Sequence, residues 1–366
     1  MSPDVRIQVY TSPPAYLSGL LAAQLPRSLP LLRRLQFTRF PGGITPHARV
    51  LVATSSTPSS LSSPPPSHSS SSSPPPSSAP VVSEDHFAAA YVDLSRGPET
   101  QVWLYSSLEH YHHQQRCSTG EKNEEEEEEE EGKEGEEEAE RDAESTAQIL
   151  ALLREVKRLR DTTEGEVGNN DDDDDDDGND TVLVGTLSSL LRDRLRTSGV
   201  VFPFADREEV YDKWLFRERD LPDAAAAVVN EERLKGRGGG VGWRWDKVRR
   251  EDIAFMLSRT HIPRRERTIK LLPSTAIYLD DGTPIAWGFL GPDSSLSSLH
   301  CEEPYRGRGL AKAVAVKLLR DHLKDYGDEG IGWADVSPNN PASQRVCKSL
   351  GGKVGWQIFW SRIDLN

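Results

Sequence analysis

Apolar and polar positions alternate in some stretches of the chain and recur every three to four residues in others, and this contrast predicts its elements. VRIQVY (5–10) and RVLVA (49–53) read as short strands. Between them, Leu17, Leu20 and Leu21, and later Leu31, Leu32 and Leu35, fall at helical spacing broken by Pro26 and Pro30. Within residues 87–109, AAAYVDL and QVWLYSS read as two strands joined by the turn SRGPET. TAQILALLREVKRL (146–159) predicts a helix with Ile149, Leu152, Leu153 and Val156 on one side. Aromatic residues from Phe202 to Phe216 mark ordered chain between Val200 and Leu234.

The C-terminal third is the most regular. Residues 243–259 contain an expected helix, with DIAFMLSRT at its end, and STAIYLDDGTPIAWGFLG predicts a hairpin turning at Asp280-Asp281-Gly282. Pro292-Asp293-Ser294 turns the chain into a third strand, SLSSLHC. A helix to about Lys324, the strand GIGWADV, the helix PASQRVCKSL and the strand VGWQIFWSRI follow. The expected order is helix, three-strand meander, helix, strand, helix, strand. That is an α/β (α+β) unit, a mixed sheet with flanking helices, at 241–366. An N-terminal α/β lobe at 1–235 precedes it, and Gly-rich residues 236–240 join the two.

Composition changes this picture in three places. Residues 54–86 are dominated by Ser and Pro, and residues 117–145 and 161–180 are acidic. None of these holds enough apolar surface to offset chain ordering, so all three are expected to be disordered inserts in the N-terminal lobe. Residues 121–144 carry 16 acidic and 3 basic side chains, and residues 164–180 carry 10 acidic and none basic. The formal charge of −15 therefore leaves the rest mildly basic, at +8. That balance suits a phosphate-bearing small molecule and is too diffuse for nucleic acid. The acidic runs read as solvated linkers, with recruitment of a basic protein partner as the sharper alternative. Three cysteines (Cys117, Cys301 and Cys347) make neither a CxxC nor a disulfide framework, and no metal site is indicated. No run of 18 apolar residues suggests a membrane span, and the N-terminus has no signal pattern. A cytoplasmic location is the expectation.

The most informative stretch is EEPYRGRGLAKAV (302–314), where two arginines alternate with two glycines before an apolar helix. Gly307 and Gly309 permit a sharp turn and close backbone approach. The first amides of the helix lack internal acceptors and sit at the positive end of its dipole. Arg306 and Arg308 add charge, so the loop reads as a receptor for a diphosphate. A P-loop is excluded because G-x-x-x-x-G-K-[ST] is absent, and a dinucleotide fingerprint because Lys312 stands where Gly or Ala is needed.

Arg306 to Ala311 matches [QR]-x-x-G-x-[GA], and here the chain resembles the GNAT superfamily of acyl-CoA-dependent N-acyltransferases. Asn340-Pro341-Ala342-Ser343, then Cys347 and Leu350-Gly351-Gly352, is similar to that family's second element, N-x-x-[SA]-x-x-x-Y-x-x-L-G-F. Residues 283–311 look most like the glycine N-acyltransferase branch, with weaker similarity at QLPRSLPLLRRLQFTRF (24–40). The resemblance implies that acetyl-CoA or another acyl-CoA is a co-substrate. The amides of Arg306, Gly307, Arg308, Gly309, Leu310 and Ala311 would surround its pyrophosphate. Its pantetheine would lie between two splayed parallel strands, SLSSLHC and GIGWADV, held by backbone groups around Leu299 and Cys301. Asn340 and Ser343 would also contact the coenzyme, and the acceptor would be the amine of a small molecule, an amino acid among them. A peptide or protein amine and a non-catalytic acyl-CoA-binding role remain as alternatives.

Amide formation from a thioester needs a neutral amine and a protonated or stabilised thiolate. The glycine N-acyltransferase branch carries a Glu where this chain has Ser295, so its base does not carry over. His300, with a pKa near neutrality, and Asp293, close by, are the candidate bases, and Asp335 is a further acid within reach of a water relay. Cys347 stands where many members of the family have a tyrosine acid and is the candidate proton donor.

Overall fold

The computed structural model describes residues 4–55, 86–118, 127–163, 181–222, 242–260 and 262–366. Residues 56–85 of the Ser/Pro insert, the aspartate run and the joint at 236–240 lie outside the described residues.

Strands β1 (Val5–Tyr10), β2 (Arg49–Ser55), β3 (Phe87–Val92) and β4 (Val102–Ser106) run antiparallel in chain order. Their two-residue alternation sorts them onto two cores. Phe87, Ala89 and Tyr91 face α1 (Ala15–Ala23) and α2 (Leu29–Phe37), while Ala88, Ala90 and Val92 face Ile149, Leu152 and Val156. Those last residues belong to α4 (Glu127–Thr163), which follows α3 (Leu108–Ser118). Acidic stretch 117–145, expected to be disordered, is thus helical from Glu127. Glutamate is a good helix former, and Asp142 ties the helix to Arg194 and, at 3.4 Å, to His112. β5 (Thr181–Ser188) pairs parallel with β4, Val102 opposite Val184, and leads into α5 (Ser189–Thr197) and β6 (Tyr211–Arg217).

The C-terminal half repeats this plan. The hairpin β8 (Ser274–Leu279) and β9 (Pro284–Leu290) and the strand β10 (Leu296–Cys301) follow the expected meander. A further strand, β7 (Trp243–Asp246), precedes them and pairs with β8, so the sheet has four strands rather than three. The helix expected within 243–259, with DIAFMLSRT at its end, is the short α6 (Ile253–Leu257), because Trp243 and Trp245 before it alternate onto the core beneath Ile277 and Ile285. After α7 (Glu266–Ile269) and the meander come α8 (Leu310–Tyr326), β11 (Ile331–Val336), α9 (Pro341–Ser349) and β12 (Lys353–Asp364).

The two halves exchange their last strands. β6, from the N-terminal half, lies between β11 and β12, and β12 lies between β5 and β6. Eight strands therefore form one sheet in the order β1-β2-β3-β4-β5-β12-β6-β11, beside the sheet β10-β9-β8-β7. The turn before β10 is pinned across the same boundary. Trp103 of β4 donates to Asp293 Oδ2 at 3.0 Å, Trp333 donates to Asp293 O at 3.0 Å, and Tyr326 donates to Gly291 O at 2.7 Å.

Candidate active site

Strands β10 and β11 touch through one parallel bridge, Ser295 to Trp333, and then diverge. The opening between them, walled by both halves of the molecule, is a cleft of about 1070 Å³. β10 carries a bulge at this opening: Ser297 sits opposite Phe289 but His300 opposite Trp287. Ser298 and Leu299 therefore share one partner position, Gly288, and Ser298 adopts φ 50°. Glycine gives close packing at 288, where a Cβ would lie 3.1 Å from Leu299 Cδ1 and 3.3 Å from Val314 Cγ1 and push those methyls back. The Leu299 side chain is turned onto α8, and the bulged backbone leaves the ladder beside the cleft.

At the far end of β10 the chain enters α8 through the arginine–glycine loop. Gly307 and Gly309 hold φ 75° and 84°, and a Cβ on either would meet nothing within 4 Å. The loop backbone is thus strained for any other residue yet open to a ligand. Gly309 caps α8 with no side-chain hydrogen bond to the first amides, so those donors remain for an anion. Leu310, Val314, Leu318 and Leu319 are buried beneath and fix the helix start against the sheet. Arg306 Nε donates to Cys301 O at 3.0 Å, and Arg308 Nη2 to Pro304 O at 3.2 Å. Both guanidinium groups are partly anchored at the rim. This loop fits a diphosphate on backbone grounds: room, free amides and a positive dipole end.

In the N-terminal half β4 and β5 pair over Val102–Val184 and Trp103–Gly185, and the space beyond that pairing is filled. Tyr105, Glu109 and Ser188 are buried there, and Tyr105 donates to Gln24 Oε1 at 2.7 Å. Ser106-Ser107 leads into α3 without a glycine.

Residues 4–214 match the family model described as the acyl-CoA N-acyltransferase verG N-terminal domain, and residues 244–351 match that of the acetyltransferase (GNAT) family. The chain belongs to the GNAT acyl-CoA N-acyltransferases. A Drosophila protein solved by X-ray crystallography is 13% identical over 100% of this chain and 99% of that one, with a TM-score of 0.53. A tandem GNAT protein from the clavulanic acid biosynthesis pathway is 8% identical over 99% of both chains, TM-score 0.47. A GCN5-related N-acetyltransferase from Sphaerobacter thermophilus is 12% identical over 100% and 98%, TM-score 0.47. No curated protein sequence matches. At these identities the Drosophila structure shows a shared fold and nothing finer. Among the described residues no helix is long and apolar enough to cross a membrane.

The expected site residues of this GNAT chain do not all reach the cleft. Asn340 and Ser343 line it, with Asn340 Oδ1 accepting from the Ser343 amide at 3.0 Å to cap α9. His300 also lines it, stacked on Trp287 at 4.6 Å between ring centroids and 3.4 Å from Glu302. Burial lowers its pKa, against the opposing pull of Glu302, and so favours the neutral imidazole. Asp293 is a correction: it is buried and absent from the cleft wall. Its Oδ1 accepts from the Ser295 amide at 3.1 Å and hydroxyl at 2.6 Å, and its Oδ2 from Trp103. Such a carboxylate ties a turn together, buried away from the cleft.

Cys347 is a second correction. It touches the cleft but is 3% exposed and packed in the core, and burial pushes its thiol up to about 12. A thiol that holds its proton so firmly is a poor donor to a departing thiolate.

Sequence reading missed Lys213. It lies fully buried on β6, 2.7 Å from Asp335 Oδ1 and 3.4 Å above the Trp333 ring. Its signal was a single lysine inside YDKWLFR, but its partner Asp335 is 122 residues away and brought near by strand exchange.

Proposed function

We propose that this cleft transfers an acyl group, acetyl in the simplest case, from acyl-CoA to the amine of a small molecule, an amino acid among the candidates. The reaction is a direct attack in a ternary complex. One juxtaposition supports the reading: β10 begins at the strand splay beside the Ser295–Trp333 bridge and ends in a glycine-lined helix N-terminus without a side-chain cap. The loop 306–311 would hold the pyrophosphate and the bulge at Ser298–Leu299 would present an amide to the thioester oxygen, polarising it as negative charge develops. Pantetheine would extend along β10, past His300 and toward Asn340 and Ser343 on α9. With donor and acceptor held in register, positioning supplies much of the rate.

Side chains from both halves face the acceptor side of the cleft. Phe204, Glu208 and Tyr211 come from the N-terminal half, and Ile262, Pro263 and Arg264 from the opposite wall. Similarity to the glycine N-acyltransferase branch points to a small acceptor. The test is CoA thiol release from acetyl-CoA and octanoyl-CoA against a panel of amino acids, aliphatic and aromatic amines, and lysine-rich peptides. Turnover confined to small amines is the expected result, whereas equal or better turnover of peptides would overturn the acceptor assignment.

A further inference from the structure

The buried pair Asp335–Lys213 stands at the apex of the splay, where the reacting groups would meet. Ser295 bridges Trp333, and Asp335 lies two residues further along the same face of β11. Asp335 lines the cleft, and its carboxylate is 7% exposed. Lys213 holds Oδ1, while Oδ2 has no hydrogen-bond partner. The Thr186 hydroxyl on β5 faces this carboxylate and favours its ionised form, although the pair falls short of full hydrogen-bond geometry. A buried carboxylate oxygen this weakly satisfied favours a further partner, a water or a substrate proton. The titratable neighbours are Lys213 and Tyr211 on β6 and Asp293 before β10, with Glu109 of α3 acting on Lys213.

Resting on the acyl-transfer reading above, we infer that Asp335 is the proton acceptor for the attacking amine and that Lys213 is its positioning residue. The proton balance is complete. An ammonium proton passes to the Asp335 carboxylate, directly or through one water, and the neutral amine forms the C–N bond. The C–S bond breaks, the second nitrogen proton goes to the CoA thiolate, and Asp335 returns its own proton to solvent. Burial raises the pKa of Asp335, and Asp293 adds to the rise, while Lys213 opposes it. A carboxylate tuned upward in this way is a better base than an exposed one. Trp333 and Trp356 flank the Lys213 ammonium, at 3.4 and 5.9 Å from their ring centroids. The charge that steadies Asp335 therefore comes from the N-terminal half of the chain.

Two amines small enough for any acceptor cleft test this with the full chain and acetyl-CoA. Methylamine is almost wholly protonated at pH 7 and needs a base; hydroxylamine is uncharged and does not. In Asp335→Asn, turnover of methylamine should fall at least about 100-fold, while hydroxylamine turnover and acetyl-CoA affinity by calorimetry stay within about threefold. Lys213→Met removes the charge that favours the ionised carboxylate, so the acidic limb of kcat/KM for methylamine should move to higher pH; Lys213→Arg should restore it. Equal loss with both amines, or no loss, would overturn the assignment. The same selective loss in His300→Gln but not in Asp335→Asn would give the role to His300. Wild-type protein that binds acetyl-CoA but turns over neither amine would overturn the acyl-transfer reading itself.

Discussion

Gly288 shows how much one missing methyl group decides. Its absence lets Leu299 pack on α8 and leaves the β10 bulge facing the cleft. Gly288→Val should cost on the order of 1–3 kcal/mol in urea unfolding by overpacking against Leu299 and Val314, and should weaken acetyl-CoA binding as the bulge shifts. Cys347→Ala should change turnover less than about threefold, because a buried thiol near 12 is packing rather than chemistry; a large drop in kcat with stability intact would restore it as the acid. Glu109 offers a pH test. Burial raises its carboxyl from 4.5 to about 7, so the folded state holds a proton that the unfolded state has released. Its penalty is absent below 4.5, grows as pH rises, and is complete above 7. Glu109→Gln should therefore add about 2–3 kcal/mol of stability at pH 8 and almost none at pH 4.5, as measured by unfolding at both pH values. At this scale the glycines and arginines of 306–309 were legible because their spacing is local. Asp293 was misread because its partner, Trp103, is 190 residues away.

Elements were legible where alternation or helical period was strong and the pairing partner was near. The hairpin β8–β9, strand β10 and helix α8 follow directly from the spacing of their apolar residues. β7 was hidden because four residues give too little period to compete with the helical residues after it. The acidic run looked unstructured by composition, yet it is helical from Glu127 because its C-terminal turns bury Ile149, Leu152 and Val156. The turn before β10 is held by Asp293 from three directions, so Asp293→Ala should lower the thermal midpoint by several degrees and loosen the Trp103 contact, visible as a change in tryptophan fluorescence. An unchanged midpoint would mean that the turn holds itself.

The whole molecule is more entangled than its sequence suggests. A glycine-rich joint invited a division near residue 240, but β6 completes the sheet beside β11, and β12 completes the sheet beside β5. No local pattern reveals such an exchange, since each strand reads the same whichever neighbour it pairs with. Both halves wall the cleft: one provides the bulge at Ser298–Leu299 and Asp335, the other provides Phe204 and Tyr211, with Lys213 behind the wall holding Asp335. Residues 242–366 expressed alone should accordingly fail to bind acetyl-CoA, and co-expression with residues 1–222 should recover binding; full affinity in the isolated fragment would contradict a shared site.

The central claim is that the loop 306–311 holds the pyrophosphate of an acyl-CoA. Calorimetric titration of acetyl-CoA into the wild-type chain and into Gly309→Glu tests it most directly. Binding in the micromolar range that disappears in the variant, with circular dichroism unchanged, is the predicted result. Wild-type affinity in Gly309→Glu, where a carboxylate would stand in the anion's place, would contradict it.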